Sequence, residues 1–202
     1  MSAKTVRKTA IDRRSARTRR LLHQALMQLI LRKPYDSITV QQIIDEADVA
    51  RATFYAHYAG KDDLLRRGFD HLRSELLQAK AEAEQASNVP RLSFLKVLFD
   101  HADRYKLVYR GLLGTRASPI VLHEFRKLIV EMVRPEVSTS NHPEISRELI
   151  AHFVADGVQS VVTWWVERHP DLPATSVHRM CRDLLSPVLL TSAPQSSFEE
   201  AA

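Results

Sequence analysis

Apolar residues recur along this chain at intervals of three and four rather than at every second position, and that spacing predicts helices almost throughout. Leu22, Ala25, Leu26, Leu29 and Ile30 fall at i, i+3, i+4, i+7 and i+8, one face of a first helix that Lys33-Pro34 terminates. Asp36 and Ser37 make a short turn. Thr39 is then placed to N-cap a second helix, with Val40, Ile43, Ile44 and Ala47 at helical spacing behind it. Asp48-Val49-Ala50 is a tight connection to a third short helix, whose buried side is Phe54 and Tyr58 and which Ala59-Gly60 ends. Lys61-Asp62-Asp63 opens a long fourth helix running to about Ala86, its two carboxylates near the positive end of the helix dipole.

Ser87-Asn88-Val89-Pro90 marks the domain boundary. Beyond it, Leu92, Leu95, Leu98, Phe99 and Ala102 give a helix face that continues through Tyr105, Val108 and Tyr109 to Gly114. Ser118-Pro119 restarts a helix over Ile120 to Val133, Arg134-Pro135 ends it, and Pro135 to Pro143 reads as a polar loop. Ile150, Val154, Gly157, Val158, Val161 and Trp165 share a face of a helix closed by His169-Pro170. The β-branched and aromatic residues of Val158 to Val166 also suit a strand, but the helical spacing upstream and the lack of a partner strand favour helix. A last helix spans about Thr175 to Leu190, and the tail to Ala202 reads as disordered. The fold class is all-α.

At 202 residues the chain is long enough for two small domains with real cores. No apolar run approaches the roughly 18 to 20 residues that span a bilayer, so no membrane partner is expected. The single cysteine, Cys181, suits a reducing compartment, and a cytoplasmic protein is expected. Charge is uneven: residues 1–73 carry 15 Lys/Arg against 8 Asp/Glu, residues 74–202 carry 14 against 16. A basic excess confined to one end fits a polyanionic partner, because each neutralised phosphate releases counterions; a solvated charged surface is the plainer alternative. The first twenty residues hold eight basic side chains and only Asp12 as an acid. That also matches the composition of a transit peptide, although the run leads directly into a helix the next domain needs, and a flexible cationic arm over 1–13 is the simpler account.

The segment Ile38 to Leu65 is the informative one. Two short helices joined by a three-residue turn, with an amphipathic helix before and a long one after, make a helix-turn-helix over about 38–58. A second helix of that size enters a major groove about 12 Å wide with its N-terminal residues toward base edges. The residues Ile38-Thr39-Val40, Ile43, Thr53-Phe54-Tyr55, His57-Tyr58, Lys61 and Leu64-Leu65 meet, in register, the pattern of the DNA-binding domain of the TetR family of bacterial regulators, which the chain resembles over about 14–73. Two positions depart from it. The family usually has glycine where Asp48 stands, and aspartate tolerates a left-handed turn; it often has a capping residue where Ala50 stands, and alanine cannot cap.

The resemblance implies phosphate contacts at Thr39, Thr53, Tyr55, His57 and Lys61. Gln41 and Arg51 are the candidates for base contact, since Arg can bond guanine O6 and N7 together and Gln can pair with adenine. The resemblance further implies a C-terminal regulatory and dimerisation domain over 74–190. Its homodimer interface would lie on helices of about 144–168 and 175–190, its operator would be palindromic, and a small hydrophobic or amphipathic ligand would release a repressor from DNA. His101, Tyr105, Tyr109, His123, Phe125 and Trp164 are candidate pocket residues, with plain core packing as the alternative. Gly157 in mid-helix suits a packed interface where helices approach closely, with an incidental glycine as the alternative. A nucleoid-associated protein without cofactor or metal follows from this reading. An enzyme is the weaker class: His178 with Cys181, and His152 with Asp156, are ligand-type pairs lacking third and fourth partners, and no phosphate loop or nucleophile elbow occurs. A helix-turn-helix adaptor acting through protein contacts and a regulator with no ligand both stay open as rival functions.

Overall fold

A computed structural model describes residues 3–84, 92–137 and 144–190, with side chains over 13–83, 92–137 and 147–188. The described residues form nine α-helices and no strand: α1 (Ala3–Ile30), α2 (Val40–Ala47), α3 (Arg51–Tyr55), α4 (Lys61–Glu84), α5 (Phe94–Arg104), α6 (Lys106–Leu112), α7 (Ser118–Val137), α8 (Glu144–Arg168) and α9 (Ala174–Leu190). The expected helix end at Ala86, the linker 87–90, most of the loop to Pro143 and the tail 191–202 lie outside the described residues.

The chain divides into two compact units, residues 1–70 with 107–121, and residues 71–106 with 122–202. The division at 70/71 within α4 lies beside the 73/74 limit of the expected DNA-binding domain and well before the expected linker at 87–90. The addition of residues 107–121 to the first unit is not expected; there α6 passes close to the end of α1, where a Cβ on Gly111 would stand 3.0 Å from Ile30 Cγ2 and 3.3 Å from the Ile30 carbonyl oxygen. A side chain at Gly111 would require Ile30 to give way slightly.

In the first unit α1 begins at Ala3, so most of the segment expected as a flexible arm is continuous with the helix. Nothing between Ala3 and Ile30 breaks it, for the stretch holds neither glycine nor proline. Leu22, Leu26, Ile43, Phe54 and Leu64 are completely buried, and α2 packs on α1 and α3 on α2. A two-pronged Arg32–Glu46 pair, both bonds 2.9 Å, joins the chain after α1 to α2. Thr39 caps α2 reciprocally: its hydroxyl accepts from the Gln42 amide at 3.3 Å, and its own amide donates to Gln42 Oε1 at 3.0 Å. Asp48 ends α2 in the left-handed region at φ 51°, the conformation that glycine serves most readily. Ala50 precedes α3 with no side-chain cap. α3 closes at Tyr55, a turn earlier than expected, yet Tyr58 stays buried because its amide still donates to the Phe54 carbonyl at 2.9 Å.

In the second unit α5 and α8 both pack against α9. The expected continuation from α5 through Tyr105 is a break, since Tyr105 leaves the helix at φ −108°, ψ 17°. α7, by contrast, runs past Arg134-Pro135 to Val137. A proline removes one amide donor and crowds the carbonyl four residues back, a local loss that α7 absorbs within its described range. The glycine expectation is met inside the chain: a Cβ on Gly157 would lie 2.9 Å from Leu185 Cδ2, where α8 and α9 meet. The α8–α9 turn is held by Trp165 Nε1 donating to the Leu172 carbonyl (2.9 Å) and Lys106 Nζ donating to the Pro170 carbonyl (2.7 Å). Contrary to the expectation of no apolar run of that size, Arg147–Arg168 in α8 is long and apolar enough, by length and composition, to cross a membrane. Ala151, Val154, Ala155, Val158, Trp165 and Val166 of that helix are nonetheless buried within the unit.

Candidate nucleic-acid interface

Phe54 and Tyr58 anchor α3 in the core, which leaves Arg51 and Tyr55, one turn apart, on its outer face. Tyr55 is 48% exposed, and the Arg51 guanidinium lies over its ring, 5.5 Å from the centroid. On the other side Arg51 Nη1 donates to Gln41 Oε1 across the two helices at 3.3 Å, and Gln41 Nε2 donates to Asp45 Oδ1 at 2.8 Å. Gln41 and Arg51, chosen separately as base contacts, are thus neighbours, but both ends of the Gln41 amide are engaged. Thr39 is exposed, and its capping bond uses only an acceptor lone pair, so its O–H remains to donate to a phosphate. Thr53 and His57 are half-buried, His57 beside the Tyr58 ring at 6.2 Å.

Lys61, expected at the DNA backbone, is engaged elsewhere. Its ammonium donates to the carbonyls of Tyr35 (2.9 Å), Ile38 (2.8 Å) and Asp36 (3.4 Å), and sits 4.5 Å from the Tyr35 ring centroid. An ammonium has three N–H donors, and all three are accounted for. The same cluster includes Tyr35, whose hydroxyl donates to Asp62 at 2.6 Å; burial and that carboxylate push its ionisation well above the usual phenol range. Asp63 accepts from the Ala59 amide at 3.1 Å as α4 opens. Partial burial would raise its pKa, but the Ala59 and Arg67 hydrogen bonds outweigh that and hold it low.

Arg13, Arg14, Arg17, Arg19 and Arg20 on α1, and Arg66 and Arg67 on α4, add to the basic surface of this unit; all are exposed. The α1 arginines lie in the basic run of the first twenty residues that the sequence marked, whereas Arg66 and Arg67 were not singled out. Asp45 was not anticipated at all, because an acidic residue is the opposite of what a phosphate-facing surface suggests.

The pocket residues expected in the C-terminal region differ in burial. His101 is buried and its ring lies 4.7 Å from that of Tyr105. Phe125 is buried and Tyr109 belongs to the first unit. His123 and Trp164 lie at the surface, Trp164 stacked on His169 at 4.4 Å. Around Glu75 gather His101 Nδ1 (3.1 Å), Arg104 (3.3 Å) and His71 (3.5 Å). Burial lowers the His101 pKa against the pull of Glu75. The ligand-type pairs have other partners: His152 meets Glu148 at 3.0 Å, and Asp156 takes the Arg126 guanidinium. Burial pushes the Cys181 thiol up to about 12.

Among known protein families, the profile described as "Bacterial regulatory proteins, tetR family" matches residues 22–67, and that described as "Transcriptional regulator C-terminal region" matches residues 92–187. A Bacillus subtilis (strain 168) protein, the uncharacterized HTH-type transcriptional regulator YxbF, is 33% identical over 105 residues. That match spans 42% of this chain and 28% of the relative. Among solved structures, a TetR transcriptional regulator from Streptococcus agalactiae 2603V superposes with a TM-score of 0.61 at 22% identity, covering 88% of this chain and 98% of that one. Thermus thermophilus FadR, a TetR family transcriptional repressor solved with lauroyl-CoA, gives a TM-score of 0.56 at 18% identity, covering 91% of this chain and all of that one.

Proposed function

Because this chain belongs to the TetR family of bacterial regulators, non-enzymatic DNA-binding proteins, we propose that it works as a homodimeric repressor that reads a palindromic operator through α3. The observation that carries this is the outer face of α3, where Arg51 stands between Tyr55 and Gln41 above a buried Phe54 and Tyr58. Arg51 contacts a guanine edge, and Thr39, Thr53, Tyr55 and His57 contact phosphates. Lys61 is omitted from that set and the α1 arginines join it.

Dimerisation is supported by an apolar stripe on the second unit. Leu149, Phe153 and Trp164 on α8 share one helical face, and Met180 and Leu184 on α9 are one turn apart; all five are exposed, Leu149 by 69% and Leu184 by 68%. Two copies joined there present two α3 helices, which an operator with half-sites about 34–36 Å apart accepts. Release by a small hydrophobic or amphipathic ligand is the finer part of the proposal. Within the second unit α4 is tied to α5 by Glu75 with His101 and Arg104, and to α7 by Arg73 with Glu131. A ligand favouring another arrangement of α5 or α7 therefore acts on the helix that leads out of the DNA-binding unit.

The test is binding of purified protein to duplexes at moderate salt, followed by a screen of acyl thioesters and hydrophobic drugs for loss of the selected complex. Two copies per palindrome and release by one compound class are expected. Monomeric protein indifferent to all duplexes would refute the regulator reading, and binding that no compound alters would refute ligand release.

A further inference from the structure

We propose that Asp45 is a positioning residue for DNA reading: through the Gln41 amide it fixes the direction of the Arg51 guanidinium. This rests on the reading of Arg51 as a base contact. Gln41 Nε2 donates to Asp45 Oδ1 at 2.8 Å, and Gln41 Oε1 accepts from Arg51 Nη1 at 3.3 Å. A carboxylate only accepts and a guanidinium only donates, so the amide between them has a single allowed orientation. Turning it over would set its NH2 against the guanidinium and its carbonyl against the carboxylate. Gln41 and Asp45 are one turn apart on α2, whereas Arg51 is the first residue of α3, so the relay couples both helices of the motif. The Tyr55 ring holds the guanidinium from the other side, 5.5 Å from Cζ.

Asp45 is unfavourably placed on helix and charge grounds alone. It stands in the last turn of α2, where a negative charge opposes the helix dipole, and it lies exposed beside a surface meant for phosphates. Its neighbour Glu46 has a separate role in the pair with Arg32. What Asp45 contributes is order in a long, flexible side chain that must meet guanine with two parallel N–H groups. One Nη1 hydrogen goes to Gln41, and the Nε–Nη2 edge remains for O6 and N7. The role of Gln41 changes accordingly: with its amide already bridged it orients Arg51 instead of pairing with adenine.

The experiment uses the full chain as wild type, Asp45→Ala, Asp45→Asn, Arg51→Ala and the Asp45→Ala/Arg51→Ala double variant. Each is used to select bound fragments from a random duplex pool, then titrated against the selected site and single-base changes, with thermal melts to verify folding. Arg51→Ala is expected to abolish preference at one position per half-site. Asp45→Ala is expected to reduce preference at that same position about 3- to 10-fold, the worth of one hydrogen bond, and the double variant to fall no further than Arg51→Ala. Asp45→Asn is expected to restore it, because the asparagine carbonyl accepts from Gln41. Both Asp45 variants lose the same charge, so altered phosphate repulsion cancels in their comparison. Full preference in Asp45→Ala alongside its loss in Arg51→Ala would overturn the relay and leave the base contact standing; so would equal behaviour of the Ala and Asn variants. Full preference in Arg51→Ala would overturn the base contact and the relay together.

Discussion

Lys61→Met separates two roles for a lysine at the start of the fourth helix. The methionine stem still covers the Tyr35 ring, but the bonds to the Tyr35 and Ile38 carbonyls at 2.9 and 2.8 Å are lost, with the longer one to Asp36. A hydrogen bond from a charged donor contributes about 1.5–3 kcal/mol, and the cation–ring contact about 0.5–1 kcal/mol. Solvent reaches this partly exposed residue and the terms are not additive, so about 2–4 kcal/mol is the reasonable total. For a chain of this size that lowers the melting temperature by about 5–15 °C. Circular dichroism melts of the two proteins measure it. DNA titrations at several salt concentrations below the melting range supply the contrast: the slope of log K against log salt is expected to be unchanged. A melting temperature within about 1–2 °C of wild type, with the salt slope reduced by about one phosphate, would refute the assignment and return Lys61 to the DNA backbone.

Two further outcomes concern single sites. Asp48→Gly removes a side chain at φ 51° and is expected to stabilise the protein by about 0.5–1 kcal/mol in urea titrations; destabilisation would mean that the Asp48 side chain has an unrecognised role. Stability is expected to fall as the pH drops from 7 to 5: unfolded His101 takes up a proton near its ordinary 6.5, while burial makes the folded side chain resist it, so the unfolded state binds more protons. Glu75 adds a loss at lower pH, since its partners His101, His71 and Arg104 hold it below its ordinary 4.5 against the effect of burial. His101→Phe should flatten the upper part of that slope, leaving the share of His178, also lowered by burial. A slope unchanged in His101→Phe would contradict the assignment.

What the sequence made legible was local. The Thr39 cap, the left-handed turn at Asp48 and the buried Phe54–Tyr58 pair each depend on residues within a few positions of one another, and the structure has all three. Lys61 was not legible, because its acceptors lie 23–26 residues earlier on a short turn whose carbonyls only the fold aims at it. The grouping of α6 with the first unit, where Gly111 closely approaches Ile30, involves distant residues that no spacing rule connects. Pro135 misled because a proline disfavours continuation of a helix without forbidding it, and α7 carries it within its described range. The aromatic residues chosen for a pocket were ambiguous in sequence, because amphipathic side chains suit a core, a surface or a cavity equally, and packing places His101 and Phe125 inward and His123 and Trp164 outward.

The most direct test of the central claim is selection of bound fragments from a random duplex pool with the purified chain, paired with the mass of the complex formed on the winning sequence. An inverted repeat with half-site centres about one helical turn apart, carrying symmetric copies of this chain, is the expected result. A recovered pool no different from the input would contradict it.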